Sequence, residues 1–455
     1  MKSSLLILLL PLFLFAQNQK DVRQFKAISD EILLHGQAYD QLFDLTQNIG
    51  HRLSGSEAYE KATTWAMEQL QLSGADSVWL QAAEVPVWVR GEESLQMQLP
   101  DGNWRDLNFL SLGNSEGTQG KDLEAEVIMV HNMDEFAALS ASEIQGKIVF
   151  FNYKFREDHV QTFFGYSEAG KYRFQTASMV AEKGGVMVVI RSISTNLRDV
   201  PHTGMMAYHP DFPKIPAVAL GNLSADALEK SLLEKSKSQK VRLKLNSNCE
   251  MKGETINHNV IGELKGKKDG KIIVVGAHLD SWDVGEGAHD DGAGIVQLFE
   301  ILRTFKKLGI ENQHTIRFVC YANEENGVRG GVKYAEEAKR KNEIHLFAIE
   351  SDAGGFSPRG FSLDMEESKR QQIQSWAPLF LPYGFYDFSG VYGGVDINPL
   401  KELMQVPVAG LVPDSQRYFD IHHSPEDTFD KINKRELHLG AIGMAQIVYM
   451  IDQYW

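Results

Sequence analysis

Carboxylates and histidines follow successive buried runs in the C-terminal half of the chain. The side chains that follow these apolar runs are His278 and Asp280, then Glu324 and Glu325, then Asp352. Imidazole nitrogens and carboxylate oxygens are the ligands that Zn²⁺ takes in catalytic sites. These residue types at these places predict metal-assisted hydrolysis.

Asp290 is the residue best placed to join two metal ions. It lies in the small-residue segment 287–294, which opens a predicted helix, so that a carboxylate and the backbone can approach a cation closely. One of the adjacent pair His422 and His423 adds an imidazole. If Asp290 is shared, each of two ions receives three protein ligands and keeps an open position for water.

Two further carboxylates have supporting roles in this hypothesis. Asp280 can accept the second N–H of the His278 imidazole and so fix which ring nitrogen faces the metal. Two metal ions about 3.5–4 Å apart lower the pKa of bound water and polarise the scissile carbonyl. Glu324 is not needed as a ligand, so it is predicted to be the general base that carries a proton from water to the leaving amine.

The elements that must position these residues alternate between strand and helix from about residue 255. Strands are predicted at 271–277, 315–321, 346–349 and 406–412, and helices at 290–308 and 329–341. This order predicts an α/β domain with a mixed, largely parallel central sheet flanked by helices. Ligands of such sheets bind beyond the carboxyl ends of the strands, where the candidate residues lie.

Four segments are expected along the chain. They are a signal peptide at 1–16, N-terminal helices and strands of the catalytic unit at 17–115, a mainly-β insert at 116–250 and the catalytic domain at 251–455. The insert contains no cluster with ligand spacing, so it is predicted to act as a lid or a specificity module. Two helices are expected between residues 21 and 75.

Composition and charge exclude several classes of protein. Acidic residues outnumber basic ones by 61 to 46 in 455 residues, and the formal charge of −15 argues against a nucleic-acid partner.

The apolar stretch 5–15, which follows Lys2 and ends before Ala16, is typical of a cleaved signal peptide and too short to span a membrane. A secreted or periplasmic protein is expected. Cys249 and Cys320 are predicted to be two unrelated core thiols.

Taken together, the motifs resemble the co-catalytic zinc exopeptidase family, which includes bacterial secreted aminopeptidases and glutamate carboxypeptidases. The matching segments are 276–285, 290–294, 324–325, 350–354 and 422–424, with further similarity at 52–56, 90–94, 201–204 and 214–216. The likeness extends from about residue 30 to the C-terminus. It implies a dipeptidase, carboxypeptidase or aminopeptidase with two Zn²⁺ ions per chain.

Ligand sets follow from this resemblance. They are His278, Asp290 and Asp352 on one zinc ion, and Asp290, Glu325 and His423 on the other. The resemblance also implies that Asp280 orients His278 and that Glu324 is the base. In the family the last histidine is followed by Ser or Thr, two residues and Asp-Thr, a pattern that fits His423 but not His422.

Substrate and assembly are also expectations from the resemblance. Close relatives act on dipeptides with free termini and form homodimers, so both are expected here. The 116–250 module resembles a protease-associated insert that covers the cleft. The segment 393–398 resembles a loop near the substrate, but no role follows for Asp396, and no substrate-binding residue is identified.

Other readings remain open. They are an aminopeptidase for longer peptides, a catalytically inactive scaffold or receptor, and a glutaminyl-cyclase-type acyltransferase with one zinc ion. The complete ligand set disfavours the scaffold and the acyltransferase. A serine hydrolase is suggested by 113–117, which fits a nucleophile elbow around Ser115, but that motif needs a following helix and 118–121 is typical of a turn.

Overall fold

The computed structural model describes residues 6–235, 240–268 and 270–455, and its strands form two sheets. In chain order the strands are β1 (Ser77–Val89), β2 (Glu93–Gln98), β3 (Trp104–Asp106), β4 (Phe109–Ser111), β5 (Leu123–Val130), β6 (Ile148–Phe151), β7 (Met187–Arg191), β8 (Ala217–Leu220), β9 (Arg242–Ser247), β10 (Glu250–Leu264), β11 (Lys271–His278), β12 (Thr315–Tyr321), β13 (Ile344–Glu350), β14 (Pro358–Asp364) and β15 (Val408–Pro413).

Helices flank both sheets. They are α1 (Leu6–His35), α2 (Ala38–Asp44), α3 (Glu57–Leu72), α4 (Met133–Ala138), α5 (Ala141–Ile144), α6 (Thr162–Phe174), α7 (Thr176–Glu182), α8 (Asn222–Glu234), α9 (Ala293–Leu308), α10 (Arg329–Arg340), α11 (Glu367–Ser375), α12 (Ala377–Phe380), α13 (Asn398–Met404), α14 (Tyr418–Ile421) and α15 (Lys434–Tyr454). Short π-helical turns occupy Leu45–Ile49 and Ala288–Gly292. None of the described helices combines the length and the apolar character needed to cross a membrane.

The first sheet has seven strands in the order β1-β10-β12-β11-β13-β15-β14. Its four central strands, β12, β11, β13 and β15, are parallel, whereas β1, β10 and β14 pair antiparallel with their neighbours. The predicted mixed α/β fold is confirmed, and its parallel part is limited to the centre of the sheet.

Strand β11 shows why the central strands are mostly apolar. Ile273 and Val275 belong to the core under α9 and α15, while Ile272 and Val274 belong to the core under α10 and α13. Successive side chains of a strand point to opposite faces, so a strand covered on both faces has no polar side. The sheet is thus anchored on both faces, and its strand ends can hold polar loops in fixed positions.

The second sheet has eight strands in the order β3-β2-β9-β5-β6-β7-β8-β4. Three of these strands, β2 to β4, precede residue 116, so the sheet begins earlier in the chain than the predicted insert. Helices α4 to α8 accompany it, more helix than a mainly-β module would have. Strands β5 to β8 are parallel. Helices α4 and α5 lie in the connection from β5 to β6, and α6 and α7 lie in the connection from β6 to β7. The division into domains stays a prediction.

The N-terminal segment contains three helices between residues 21 and 75, where two were predicted. Helix α1 ends before Gly36. A Cβ atom at this position would lie 2.4 Å from the backbone oxygen of Ile32 and 3.0 Å from the ring of His438 on α15. Both contacts favour glycine, and this break was not visible in the hydrophobic spacing. The predicted signal peptide, residues 1–16, lies partly outside the described residues, and its cleavage stays a prediction.

Arg90 connects the two sheets. It follows β1, and its guanidinium donates two hydrogen bonds to the carboxylate of Asp283, at 2.8 and 2.7 Å. A third donor reaches the backbone oxygen of Ser111 in β4 at 2.5 Å. Since the side chain of Arg90 is only 10% exposed, this charge pair is a largely desolvated link between the sheets and the loop after β11.

Replacing Arg90 by methionine should destabilise the protein by about 3 kcal/mol, because Asp283 would keep a partly buried charge without its partner. Urea unfolding of the purified variant measures the loss. The matched control is Arg340→Met, which removes an exposed arginine paired with Glu337 at 3.8 Å and should change little. Equal stability of the two variants would contradict a structural role for the Arg90 link.

Candidate metal centre

The predicted ligands converge beyond the carboxyl ends of the parallel strands. His278 is the last residue of β11, Asp352 follows β13, and Glu325 follows β12. Asp290 lies in the π-helical turn before α9, and His423 lies in the loop after α14. The structure thus brings together side chains from five separate segments.

Two clusters form, and Asp290 belongs to both. In the first, Nε2 of His278 lies 3.1 Å from Oδ1 of Asp290 and 3.5 Å from Oδ1 of Asp352. In the second, Nε2 of His423 lies 3.2 Å from Oδ2 of Asp290 and 3.1 Å from Oε2 of Glu325. One oxygen of Asp290 faces each cluster, which is the arrangement that a bridging carboxylate needs.

Unsatisfied atoms in the second cluster test whether a cation fits. Oδ2 of Asp290 and Oε2 of Glu325 are buried and have no hydrogen-bond partner among the described residues. Burial, and then the charge of Asp290, raise the pKa of Glu325 well above its usual range. A buried carboxylate is costly without a compensating charge. The nitrogen and oxygen donors here therefore fit divalent cations of the zinc type.

Asp280 contacts both His278 and the two glutamates, and the sequence predicted only the contact with His278. Nδ1 of His278 lies 3.0 Å from the backbone oxygen of Asp280, closer than the 3.7 Å to its carboxylate. A bond from Nδ1–H to the carbonyl leaves Nε2 free to face the clusters. The Asp280 carboxylate accepts the backbone N–H groups of Glu324 and Glu325, at 3.1 and 3.3 Å. Asp280 therefore positions the two glutamates as well.

Asp427 is a residue to which the sequence analysis gave no role. Its carboxylate accepts the backbone N–H groups of His289 and Asp290, at 2.7 and 3.0 Å. The backbone of Asp290 is not helical, with φ −119° and ψ 91°, and α9 begins only at Ala293. The predicted helix start at 290 is therefore wrong, because side-chain acceptors replace helical hydrogen bonds in this turn. Burial raises the pKa of Asp427 to about 7.

Arg52 is a second residue to which the sequence analysis gave no role. Its fully buried guanidinium donates to the backbone oxygens of Leu279, Glu286 and Gly287, at 2.6, 3.0 and 3.0 Å. These bonds join the end of β11 to the turn that holds Asp290. Burial lowers the pKa of Arg52, and the nearby Asp427 opposes that effect. In the sequence, Arg52 was noted only as part of segment 52–56, which resembles the family but indicated no function for this residue.

Glu324 lies next to the clusters but belongs to neither. Its side chain is half-buried, and its backbone N–H is fixed by Asp280. Burial raises the pKa of Glu324 well above its usual range, and Asp352 adds to the increase while His278 opposes it. A carboxylate so placed is more basic than an exposed glutamate, which suits proton transfer.

The adjacent histidines differ in their contacts. Nε2 of His422 is 3.5 Å from Asp290, and its ring stacks on His423 with 3.5 Å between centroids. Only His423 also approaches Glu325, so the geometry favours His423 as the ligand. The backbone oxygens of the two histidines accept bonds from Nδ1 of His202 and N–H of Thr203, at 2.6 and 2.8 Å.

Ser115 does not lie in a nucleophile elbow. Residues 116–122 form no helix, and the chain continues directly to β5. The side chain of Ser115 is buried, and its hydroxyl accepts the backbone N–H of Ala217 at 2.9 Å. This oxygen is used in packing β4 against β8, so the structure gives no support to a serine hydrolase.

A mixed α/β sheet with two carboxylate–histidine clusters beyond its parallel strands is the architecture of the co-catalytic zinc exopeptidases. Peptidase family M28 matches residues 259–448, the segment that supplies all five candidate ligands. Carboxypeptidase Q of Homo sapiens is 33% identical over 415 residues, which cover 91% of this chain and 85% of that protein. The chain therefore belongs to peptidase family M28, and the resemblance seen in the sequence is confirmed.

Solved structures agree with this assignment. The crystal structure of a peptidase M28 precursor from Shewanella amazonensis matches with a TM-score of 0.89 and 33% identity, over 95% of this chain and 97% of that one. A zinc aminopeptidase from Bacillus subtilis matches with a TM-score of 0.65 and 21% identity, over 91% and 94% of the two chains. The second match shows a shared fold.

Substitutions in the two clusters should remove different numbers of metal ions. Asp290→Ala should cost both ions because it contributes an oxygen to each cluster, and His423→Ala should cost one. His422→Ala is the matched control and should keep both. Metal content per chain, measured by mass spectrometry on purified protein, checks this order. Loss of metal from the His422 variant alone would exchange the roles of the two histidines.

Proposed function

We propose that this protein is a zinc-dependent exopeptidase that hydrolyses short peptides, dipeptides with free termini in particular. The observation that carries the proposal is the position of Asp290, whose two oxygens face two separate clusters. A shared carboxylate with a spare glutamate beside it is the arrangement required for hydrolysis assisted by two metal ions.

Each residue has a role in the proposed reaction. His278, Asp290 and Asp352 would hold one zinc ion, and Asp290, Glu325 and His423 the other. Bound there, two zinc ions would supply a more acidic water and a polarised scissile carbonyl. Asp280 holds His278 and the backbone of the two glutamates in place.

Glu324 completes this proposal as the proton carrier. It takes a proton from the attacking water and delivers that proton to the nitrogen of the leaving amine as the peptide bond breaks. Asp280 holds both the backbone of Glu324 and the ring of His278, so the base keeps a fixed position relative to the first cluster.

A cleft lined by Asp290, Glu325, His423 and Trp282 adjoins the second cluster. The name of carboxypeptidase Q supports an exopeptidase that acts at the carboxyl end, and an aminopeptidase on longer peptides is the alternative. Export through the predicted signal peptide and assembly as a homodimer are part of the same proposal.

Glu324→Gln should retain both zinc ions but lose most turnover, about 100-fold or more in kcat, because the amide cannot accept the proton from water. Metal content and kcat are measured on the same preparation. Glu336→Gln, an exposed glutamate on α10, is the control and should behave as the unaltered protein. A near-normal kcat in the Glu324 variant would remove this residue from the role of base.

Metal content and end-group tolerance together test the activity. Purified protein should hold close to two zinc ions per chain and cleave an unblocked dipeptide but not its N-acetylated or C-amidated form. Cleavage of the amidated form as well would indicate an aminopeptidase, and cleavage of the acetylated form would indicate a carboxypeptidase. One zinc ion or none, with no cleavage, would contradict the two-metal mechanism.

A further inference from the structure

A turn that follows β4 of the second sheet packs beside the second cluster. It begins at Gly113, the first residue of the segment 113–117 that fits a nucleophile elbow in sequence. A Cβ atom added to Gly113 would lie 1.9 Å from the ring of Trp282, so the indole lies directly against this glycine. Trp282 donates its backbone N–H to Oε1 of Glu325 at 3.2 Å, and its ring meets that of His423 edge-on. The turn therefore lies behind two candidate ligands.

Two asparagines flank the pair of glutamates that contains the proposed base. Asn323 precedes Glu324, and Asn326 follows Glu325. The side-chain amide of Asn323 donates to Oδ1 of Asn326, and this hydrogen bond closes the turn around the glutamates. Both asparagines are buried, and Asn323 has φ +64°, a left-handed conformation that asparagine adopts more readily than most residues. The chain around the glutamates thus forms a closed turn.

Asn114 connects this closed turn to the second sheet. Nδ2 of Asn326 donates to Oδ1 of Asn114 at 3.3 Å, and Nδ2 of Asn114 donates to the backbone oxygen of Asn326 at 3.4 Å. Asn326 therefore uses both ends of its amide, one within the turn and one towards the second sheet. A buried amide without these partners would keep unsatisfied polar atoms, so the paired geometry is favoured.

We propose that Asn114 and Asn326 form a positioning pair that holds Glu324 where it can take a proton from the attacking water. Asp280 already fixes two backbone N–H groups of the glutamate turn, and the asparagine pair fixes the turn from the second sheet. A general base must stay within hydrogen-bond reach of the proton, and a displacement of about 1 Å can cost about 100-fold in rate. This inference rests on the proposed function and adds positioning residues to it.

The second sheet thereby contributes to the geometry of the reaction, although it supplies none of the five candidate ligands. Asn114 lies in the connection from β4 to β5, whereas Glu324 and Glu325 follow β12 of the first sheet. Loss of Asn114 should affect the base more than the metal. Glu325 keeps its hydrogen bond from Trp282 and its contact with His423 when the asparagine side chain is removed.

Asn114→Gly removes the amide without backbone strain, because Asn114 has φ +70° and glycine adopts this conformation freely. The variant should lose about 10-fold in kcat on an unblocked dipeptide, with KM and zinc content unchanged. Gln119→Gly is the matched control and should keep full kcat, since Gln119 is exposed in the same connection and also left-handed, with φ +56°. Asn114→Gly should add little to the loss caused by Asn326→Ala, because the two amides act as one unit.

The Glu324→Gln background shows whether the pair acts through the base. Asn114→Gly should not lower kcat further in that background, because the group that it positions is already gone. A further loss of about 10-fold there, or an unchanged kcat in the single variant, would overturn the assignment.

Hydrogen exchange of the segment 322–328, followed by mass spectrometry, needs no turnover and so separates this inference from the proposed function. Exchange should be faster in Asn114→Gly than in the unaltered protein and in Gln119→Gly. Equal exchange in all three proteins would overturn the positioning pair even if hydrolysis is confirmed. An inactive unaltered protein, with faster exchange in Asn114→Gly, would contradict the proposed function and support the contact between the two asparagines.

Discussion

The concentration of buried negative charge at one end of the sheet is the constraint on which the rest of the structure depends. Asp280, Asp290, Asp291, Glu325 and Asp352 lie together, and burial raises the pKa of several of them. Part of the repulsion is offset by backbone N–H groups and by a fully buried arginine. The remaining repulsion between the carboxylates can be offset by bound cations. The loops that hold these carboxylates together therefore also create the capacity to bind metal.

The central strands explain why so much of the site could be predicted from the sequence. Each parallel strand is mostly apolar, and the polar residues at or just after its carboxyl end lie at the same edge of the sheet. His278 and Asp352 were therefore predictable from position and residue type alone. Asp290 lies between the two clusters, where the sequence led us to expect a shared ligand, although the turn that holds it is not the helix that the sequence indicated.

What the sequence could not give depends on contacts between distant segments. Arg52 bonds mainly to backbone oxygens, which carry no sequence signal, and Asp427 acts through backbone N–H groups more than a hundred residues away. The segment 116–250 was predicted to be mainly β, yet it also contains the five helices α4 to α8.

The hydrogen bonds from His202 and Thr203 to the backbone oxygens of His422 and His423 couple the movements of the two segments. The segment that holds His202 and Thr203 cannot move independently of the histidine loop, because such a movement must either break these bonds or carry the loop with it. Movement of this segment and the position of the candidate ligand His423 are therefore coupled. A cation held by His423 would oppose that movement, and the movement would weaken the hold on the cation by the same free energy.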